Sequence, residues 1–197
     1  MAAYYYLASQ LPYLIFAQEP PMSAAAFREL AVNFLDSEDK AQIDRCVLAA
    51  PREEPPLLPP APGEPPVLKS DFIRGWLEWE RALRLNLARF RSQRLKREGA
   101  DAPDYPADAV QAAKAASAMD SPLEAEIFLD KARWDAIERL KGLDDTGSNM
   151  VFAYLLKLLL MERRSSFKTE EGFMEYKTLY DAIRNVASAE SGPEASK

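Results

Sequence analysis

The chain has 197 residues, of which 48% are hydrophobic and 28% are charged, and its net charge is −6. These values are typical of a globular protein that forms one compact domain or two very small ones. The absence of histidine and the presence of a single cysteine exclude an internal disulfide and a cysteine-based zinc cluster, and they remove the usual proton shuttle of enzymes.

The residue types indicate an all-α fold. Seven glycines are too few for an all-β protein, which uses glycine in its tight turns. Alanine, leucine, glutamate and arginine are abundant, and all four favour helices. We therefore expect an irregular bundle of roughly six to eight helices with a proline-rich connector.

The apolar beginning of the chain predicts neither a signal peptide nor a membrane span. Pro12 interrupts the apolar run and the first basic residue is Arg28, whereas a signal peptide begins with positive charge. The leucine-rich run Met150–Met161 contains Lys157 and is too short to cross a bilayer. We expect no membrane insertion and a cytoplasmic location.

The sequence before the prolines predicts an aromatic opening and two helices. Three adjacent tyrosines, Tyr4 to Tyr6, point in different directions in any regular structure, which predicts that this opening is covered on several sides. Ser23 is a good N-cap for the first helix, and Ser37 begins the second, with Cys46 facing inward as a small buried hydrophobe. The apolar face of the first helix comprises Phe27, Leu30, Ala31, Phe34 and Leu35.

The stretch from residue 51 to residue 66 contains eight prolines. No helix tolerates that density, so we predict an extended, polyproline-like connector over residues 51–68. Its central Pro-Pro-Leu-Leu-Pro-Pro string has the chemistry that aromatic grooves bind. A spacer between two helical blocks is the interpretation we favour, because proline-rich stretches in that position are commonly linkers.

The longest predicted helix runs from Ser70 or Asp71 to about Glu98. Its apolar stripe contains Phe72, Ile73, Trp76, Trp79, Leu83, Leu87 and Phe90. Glu80 intrudes on this stripe, and Arg84 follows one turn later. We expect Glu80 to be ion-paired, within the helix or with a neighbour, because an unpaired buried carboxylate is costly.

The second half of this helix is the candidate partner-binding surface. Residues 69–97 carry nine positive and three negative charges, and the stripe becomes basic where Arg91 and Arg94 replace its apolar residues. Such a block pairs with the protein's own acidic residues or with an acidic protein surface. We therefore predict that Arg84, Arg91, Arg94 and Arg97 contact a partner.

Four further helices complete the predicted bundle. An alanine-rich helix covers Asp108 to Met119, and the capping box Ser121-Pro122-Leu123-Glu124 opens the next, which stops at Gly142. Ser148 or Asn149 begins a helix that is apolar on nearly every side, and Thr169 caps the last one. We expect residues 1–187 to form a single all-helical domain and residues 188–197 to be a disordered tail.

The sequence predicts a protein that is not an enzyme. Paired carboxylates such as Asp144-Asp145 lie in turns, in caps or on charged faces, where solvation explains them more simply than acid–base chemistry. No phosphate-binding glycine loop, nucleophile elbow or zinc signature occurs. We predict no catalytic, cofactor-binding or metal-ligating residue and no small-molecule substrate.

Nucleic acid is a weaker candidate partner for the basic helix. Arginines and two tryptophans occur together there, as in nucleic-acid binders. The tryptophans, however, lie on the apolar stripe with the leucines, not between the arginines as stacking platforms. The sequence pI of about 4.9 also opposes phosphate binding.

Three strings together resemble a known family. They are the opening Tyr4-Tyr5-Tyr6-Leu7-Ala8-Ser9-Gln10-Leu11-Pro12, the helix start Ser37-Glu38-Asp39-Lys40, and the run Tyr154-Leu155-Leu156-Lys157-Leu158 followed by Glu162-Arg163-Arg164. They resemble small bacterial proteins encoded alongside subunits of the V-type (V/A-type) ATPase. More remotely, the pattern is similar to the all-helical C (or d) subunit, the socket between the rotary shaft and the membrane ring. That subunit is longer and has three similar helical units, and the connector and the alanine-rich helix have no counterpart in it.

The resemblance implies a peripheral, non-catalytic subunit or assembly factor of a rotary, ion-translocating ATPase. Its partners would be subunits of the central shaft or the membrane ring, and its place the cytoplasmic face of the inner membrane. The family has no catalytic residues, so none are carried over. A general helical adaptor, a nucleic-acid-binding domain using residues 69–97, and an enzyme relying on carboxylates alone remain as alternatives.

Overall fold

Helices account for all regular structure in the part of the chain that the computed structural model describes, which is residues 2–48, 69–97 and 101–165. Within these ranges there are seven α-helices, one 3-10 turn and no strand, so the predicted all-α bundle is confirmed. The helices are α1 (Ala2–Gln10), α2 (Ala24–Val32), α3 (Ser37–Gln42), α4 (Asp71–Arg94), α5 (Ala107–Ala118), α6 (Pro122–Lys141) and α7 (Ser148–Ser165), and the 3-10 turn is Ile43–Arg45.

The packing described below is that of one compact unit, residues 1–162, and the chain from residue 163 belongs to a second unit. Several predictions concern segments outside the described residues. These are the connector 51–68, the last helix from Thr169, the domain boundary at residue 187 and the tail 188–197. They stay predictions.

Side-chain caps start the helices where the sequence placed them. The hydroxyls of Ser23, Ser70 and Ser121 accept hydrogen bonds from the backbone N–H groups three residues later, over 3.1–3.3 Å. Each bond satisfies one of the free N–H groups at a helix start. Helix α3 starts at Ser37, as predicted. Its cap is Asp36, whose carboxylate accepts hydrogen bonds from the N–H groups of Glu38 and Asp39 at 3.0 and 2.9 Å.

Two helices, α4 and α7, supply about half of the core. Of the predicted stripe on α4, only Phe90 remains half-buried, and the rest is buried. The core residues of α7 include Val151, Phe152, Leu155, Leu156 and Leu158, all without solvent exposure. Buried residues occur on nearly every side of α7 from Val151 to Met161, so this helix lies inside the bundle, as predicted.

A glycine within α4 allows α6 to approach closely. A Cβ atom at Gly75 would lie 3.0 Å from the Leu140 side chain, and further along α4 Glu80 contacts Arg133 of α6. The two helices therefore run antiparallel. Glycine in a helix interior costs roughly 0.5–1 kcal/mol relative to alanine, and at this position the contact with Leu140 explains its presence.

The described residues that flank the connector are both fastened to the body of the bundle. The buried Gln42 side chain accepts hydrogen bonds from the backbone N–H groups of Lys69 and Ser70, at 3.1 and 2.8 Å. On the other flank, the carbonyl oxygen of Val47 accepts from the Trp76 indole at 2.9 Å. Cys46 is fully buried, and burial raises the pKa of its thiol, which agrees with the predicted role as a hydrophobe.

The tyrosine opening is helical but only partly covered, so the expectation that it is buried on several sides was wrong. Tyr4 donates a hydrogen bond to Asp39 of α3, which ties α1 to the body. Tyr5 and Tyr6 remain 66% and 56% exposed. A nine-residue helix that packs one face on the bundle has no second layer to cover its other faces, and Tyr6 contacts only the ring of Phe34 among the aromatic residues described.

The end of α4 adopts a strained turn. The predicted helix to residue 98 stops at Arg94, because Lys96 takes a left-handed conformation with φ of 52°. Its N–H donates to Gln93 and that of Arg97 donates to Ser92, at 3.1 and 2.9 Å. This pair of bonds is the Schellman ending, in which glycine is the usual left-handed residue.

The first prediction concerns this turn. Lys96→Gly removes the steric cost of a left-handed lysine, and we expect it to raise the free energy of unfolding by about 1 kcal/mol. Leu95→Gly is the matched control, because Leu95 is right-handed and gains nothing from glycine. Urea unfolding followed by circular dichroism measures both variants. Equal destabilisation by the two changes would contradict the strain at Lys96.

The second prediction concerns the contact between α1 and α3. Burial raises the pKa of Asp39, and its hydrogen bond with Tyr4 only partly offsets this. The stability contributed by a protonated Asp39 is therefore fully present below its ordinary pKa and is lost as pH rises through the raised value. We expect Asp39→Asn to gain stability relative to wild type as pH rises from 3 to 6. A constant difference across this range, in unfolding curves measured at each pH, would show that Asp39 titrates normally.

Candidate protein-interaction surface

A buried ionic cluster joins α4 to α6. The Glu80 carboxylate is fully buried and accepts two hydrogen bonds from the Arg133 guanidinium, at 3.0 and 3.1 Å. Arg133 also donates to the buried Asp130 at 3.2 Å. Burial alone would lower the pKa of Arg133, but the two carboxylates raise it above its ordinary value, so the guanidinium keeps its charge. The expected pairing of Glu80 is confirmed, and its main partner comes from a distant helix.

Arg84, the first predicted partner-binding residue, belongs to this cluster. Its Nε donates to Glu80 at 2.7 Å and its Nη2 to the carbonyl oxygen of Leu48 at 3.1 Å. The side chain is 41% exposed. Two of its donors are therefore used inside the protein, and the remaining exposed part lies at the edge of the bundle.

Arg94 is also held by the protein, but loosely. It donates to the carbonyl oxygen of Ser117 at 3.1 Å and lies 3.9 Å from the carboxylate of Asp120. Both side chains of the ion pair are largely exposed, so the pair contributes little to stability. The two contacts of Arg94 nevertheless show that the end of α4 lies beside the turn between α5 and α6.

Arg91 and Arg97 are the two predicted residues that remain available. Both side chains are exposed, and neither forms an ion pair or side-chain hydrogen bond with any residue within the described ranges. Lys96 lies between Arg94 and Arg97 and is exposed as well. The described end of α4 thus presents a basic surface, comprising Arg91, Arg94, Lys96 and Arg97, which we call the basic end.

The tryptophans take no part in that surface. Trp76 and Trp79 are buried, and their rings stack on each other at 5.9 Å. The indole of Trp79 donates to Asp108 at 2.8 Å. Neither ring can stack on a nucleic-acid base, so the basic helix lacks the aromatic component that the nucleic-acid alternative requires.

Sequence reasoning missed a second exposed surface near the beginning of the chain. Tyr5 and Tyr6 on α1 are joined by Tyr13 and Ile15 in the following loop, which are 88% and 45% exposed. No charged side chain occurs before Glu19. The sequence of α1 could have revealed this surface, because it has no apolar stripe at helical spacing. Leu7 is the only buried side chain among those described from Tyr4 to Gln10.

A groove of about 250 Å³ lies between the end of α1, α6 and α7. On one wall, the partly buried Lys157 pairs with Glu138 and its ammonium lies 4.9 Å from the centre of the Trp134 ring. Burial lowers the pKa of Lys157, while Glu138 acts in the opposite direction. Lys141 pairs with Asp145. The charges in the groove are thus compensated within the protein, an arrangement that stabilises the contact of α6 with α7.

Two further observations concern the described residues alone. None of their helices is both long and apolar enough to cross a membrane. Nor do they contain a group of three or more carboxylate or thiol side chains placed to hold a metal ion.

No protein-family model, curated protein or solved structure matches this chain. A function must therefore follow from the geometry of the described residues. All four predicted arginines are exposed, but Arg84 and Arg94 bind other residues of the protein, whereas Arg91 and Arg97 have no partner within the described ranges.

The third prediction separates the two arginines that bind Glu80. Arg133→Met leaves a fully buried carboxylate without its main partner, and we expect a loss of about 3–5 kcal/mol in the free energy of unfolding. Arg84→Met removes an exposed partner of the same carboxylate, so the loss should stay below about 1 kcal/mol. Chemical unfolding of both variants tests this order. Similar losses would mean that Arg84, despite its exposure, is as important to the cluster as Arg133.

Proposed function

We propose that this protein is a non-catalytic, helical protein–protein interaction subunit or assembly factor of a V-type ATPase. It acts at the central stalk, on the cytoplasmic side of the membrane, and contacts subunits of the shaft or of the membrane ring. The link to this machine comes from the resemblance of the three strings, beginning with Tyr4 to Pro12. The binding role is argued from the described surface.

The observation that carries the binding role is the state of the basic end. Arg91 and Arg97 are exposed and have no partner among the described residues, whereas two other arginines of α4, Arg89 and Arg94, pair with the exposed carboxylates of Asp104 and Asp120. Unpaired arginines on an otherwise acidic protein favour a partner with negative charge. Arginine is also enriched at the centres of protein interfaces.

The body behind this surface suits a part that transmits force. The basic end comprises the last turn of a 24-residue helix and the turn that follows it, and that helix is fixed as far as Leu87 by buried residues and by the Glu80–Arg133 pair. Close-packed helical interiors deform little under load. A partner bound to the end of α4 would therefore be coupled to the whole bundle.

The fourth prediction tests the function and the surface together. We expect the full chain, purified from cells that contain the V-type ATPase, to carry shaft or ring subunits with it. Arg91→Glu with Arg97→Glu reverses both unpaired charges, and we expect at least about a tenfold loss of the co-purified subunits. Mass spectrometry of the bound fraction gives the measurement.

The matched control is Arg45→Glu with Lys114→Glu. Both of these residues are exposed and lie outside the basic end, so this variant changes the net charge equally. It should retain the subunits. Wild-type protein that captures no V-type ATPase subunit would reject the proposed function, and equal losses in the two variants would remove the basic end from it.

A further inference from the structure

Exposed apolar side chains lie on both sides of the ion pair at the basic end. Leu95 follows Arg94 directly and is 64% exposed, and Leu123, three residues after Asp120, is 46% exposed. Arg94 lies 3.9 Å from Asp120, so the last turn of α4 and the first turn of α6 are neighbours. Both exposed leucines are therefore close to the basic end.

A third side chain extends this surface along α6. Ile127 is 38% exposed and follows Leu123 by four residues, which places the two on one face of the helix. One turn further on, the same side of α6 carries Lys131, whose ammonium lies over the ring of Phe16. The loop after α1 thus covers the later part of this face, and its beginning remains open.

We propose that Leu95, Leu123 and Ile127, together with Arg91 and Arg97, bind an acidic amphipathic helix of a partner protein. Such a helix places an apolar stripe on the three side chains and carboxylates at its edge on the two guanidinium groups. This inference rests on the proposed function in one respect, because both use the basic end. It adds the chemistry of the partner, which is an acidic amphipathic helix.

Two observations favour a helix over other partners. The surface is made of helix flanks and, within the described ranges, offers no strand edge to which an extended peptide could add. Asp120 and Glu124 are exposed beside Leu123, and these carboxylates would repel an anionic bilayer. The carboxylates of a partner helix can lie away from Asp120 and Glu124, whereas an anionic bilayer is negatively charged over its whole surface.

The fifth prediction uses synthetic peptides of about 20 residues, long enough to be helical in water. One peptide carries leucines at helical spacing with glutamates beside them, the second has the same composition in shuffled order, and the third replaces glutamate by lysine. We expect the first to bind the full chain at least about tenfold more tightly than either of the others. Fluorescence anisotropy gives the affinities.

Variants locate the site. Leu123→Ser with Ile127→Ser, and separately Leu95→Ser, should each weaken the first peptide several-fold, whereas the control Val32→Ser with Leu143→Ser, which changes exposed apolar residues elsewhere, should not. Equal binding of the shuffled peptide, or equal effects of the control, would overturn the proposal. The proposal would also be overturned if the chain bound vesicles of phosphatidylglycerol and phosphatidylcholine and had equal affinities for the three peptides. Because no peptide derives from an ATPase subunit, failure to capture that machine leaves this test unaffected.

Discussion

The pairing of Glu80 with Arg133 is the constraint on which the arrangement of the bundle depends. A fully buried carboxylate is tolerated only when hydrogen-bonded charge of the opposite sign faces it, and Arg133 supplies two such bonds from α6. The bidentate geometry fixes the register of the two helices as well as their distance. With Gly75 against Leu140, it sets α4 and α6 antiparallel at two points along their length.

That register also positions the proposed binding surface. Since α6 runs antiparallel to α4, its first turn lies beside the last turn of α4, and Arg94 and Asp120 mark the junction. The exposed leucines and arginines there come from two helices and become one surface only through this packing. This surface is preorganised for binding. The residues beneath it are buried and paired, while the residues that would contact a partner are exposed.

Other surfaces of the described unit are less informative about function. The groove between α6 and α7 contains charged groups that are already paired. The tyrosines near the beginning of the chain form an exposed, uncharged surface. Single exposed apolar residues are ordinary on protein surfaces, whereas those near the basic end lie close to two arginines that have no partner within the described ranges.

The sequence by itself determined the helical class, the starts of most helices and the stripe of α4, because caps and helical periodicity are local properties. It also predicted that Glu80 would be paired. Only the tertiary structure decided that the principal partner is Arg133, fifty-three residues away, and that Tyr5 and Tyr6 face solvent. It also decided that Arg84 is engaged, while Arg91 and Arg97 have no partner among the residues the structure describes. These outcomes depend on which helices meet, and helix pairing is set by the fit of the whole core, which no local pattern encodes.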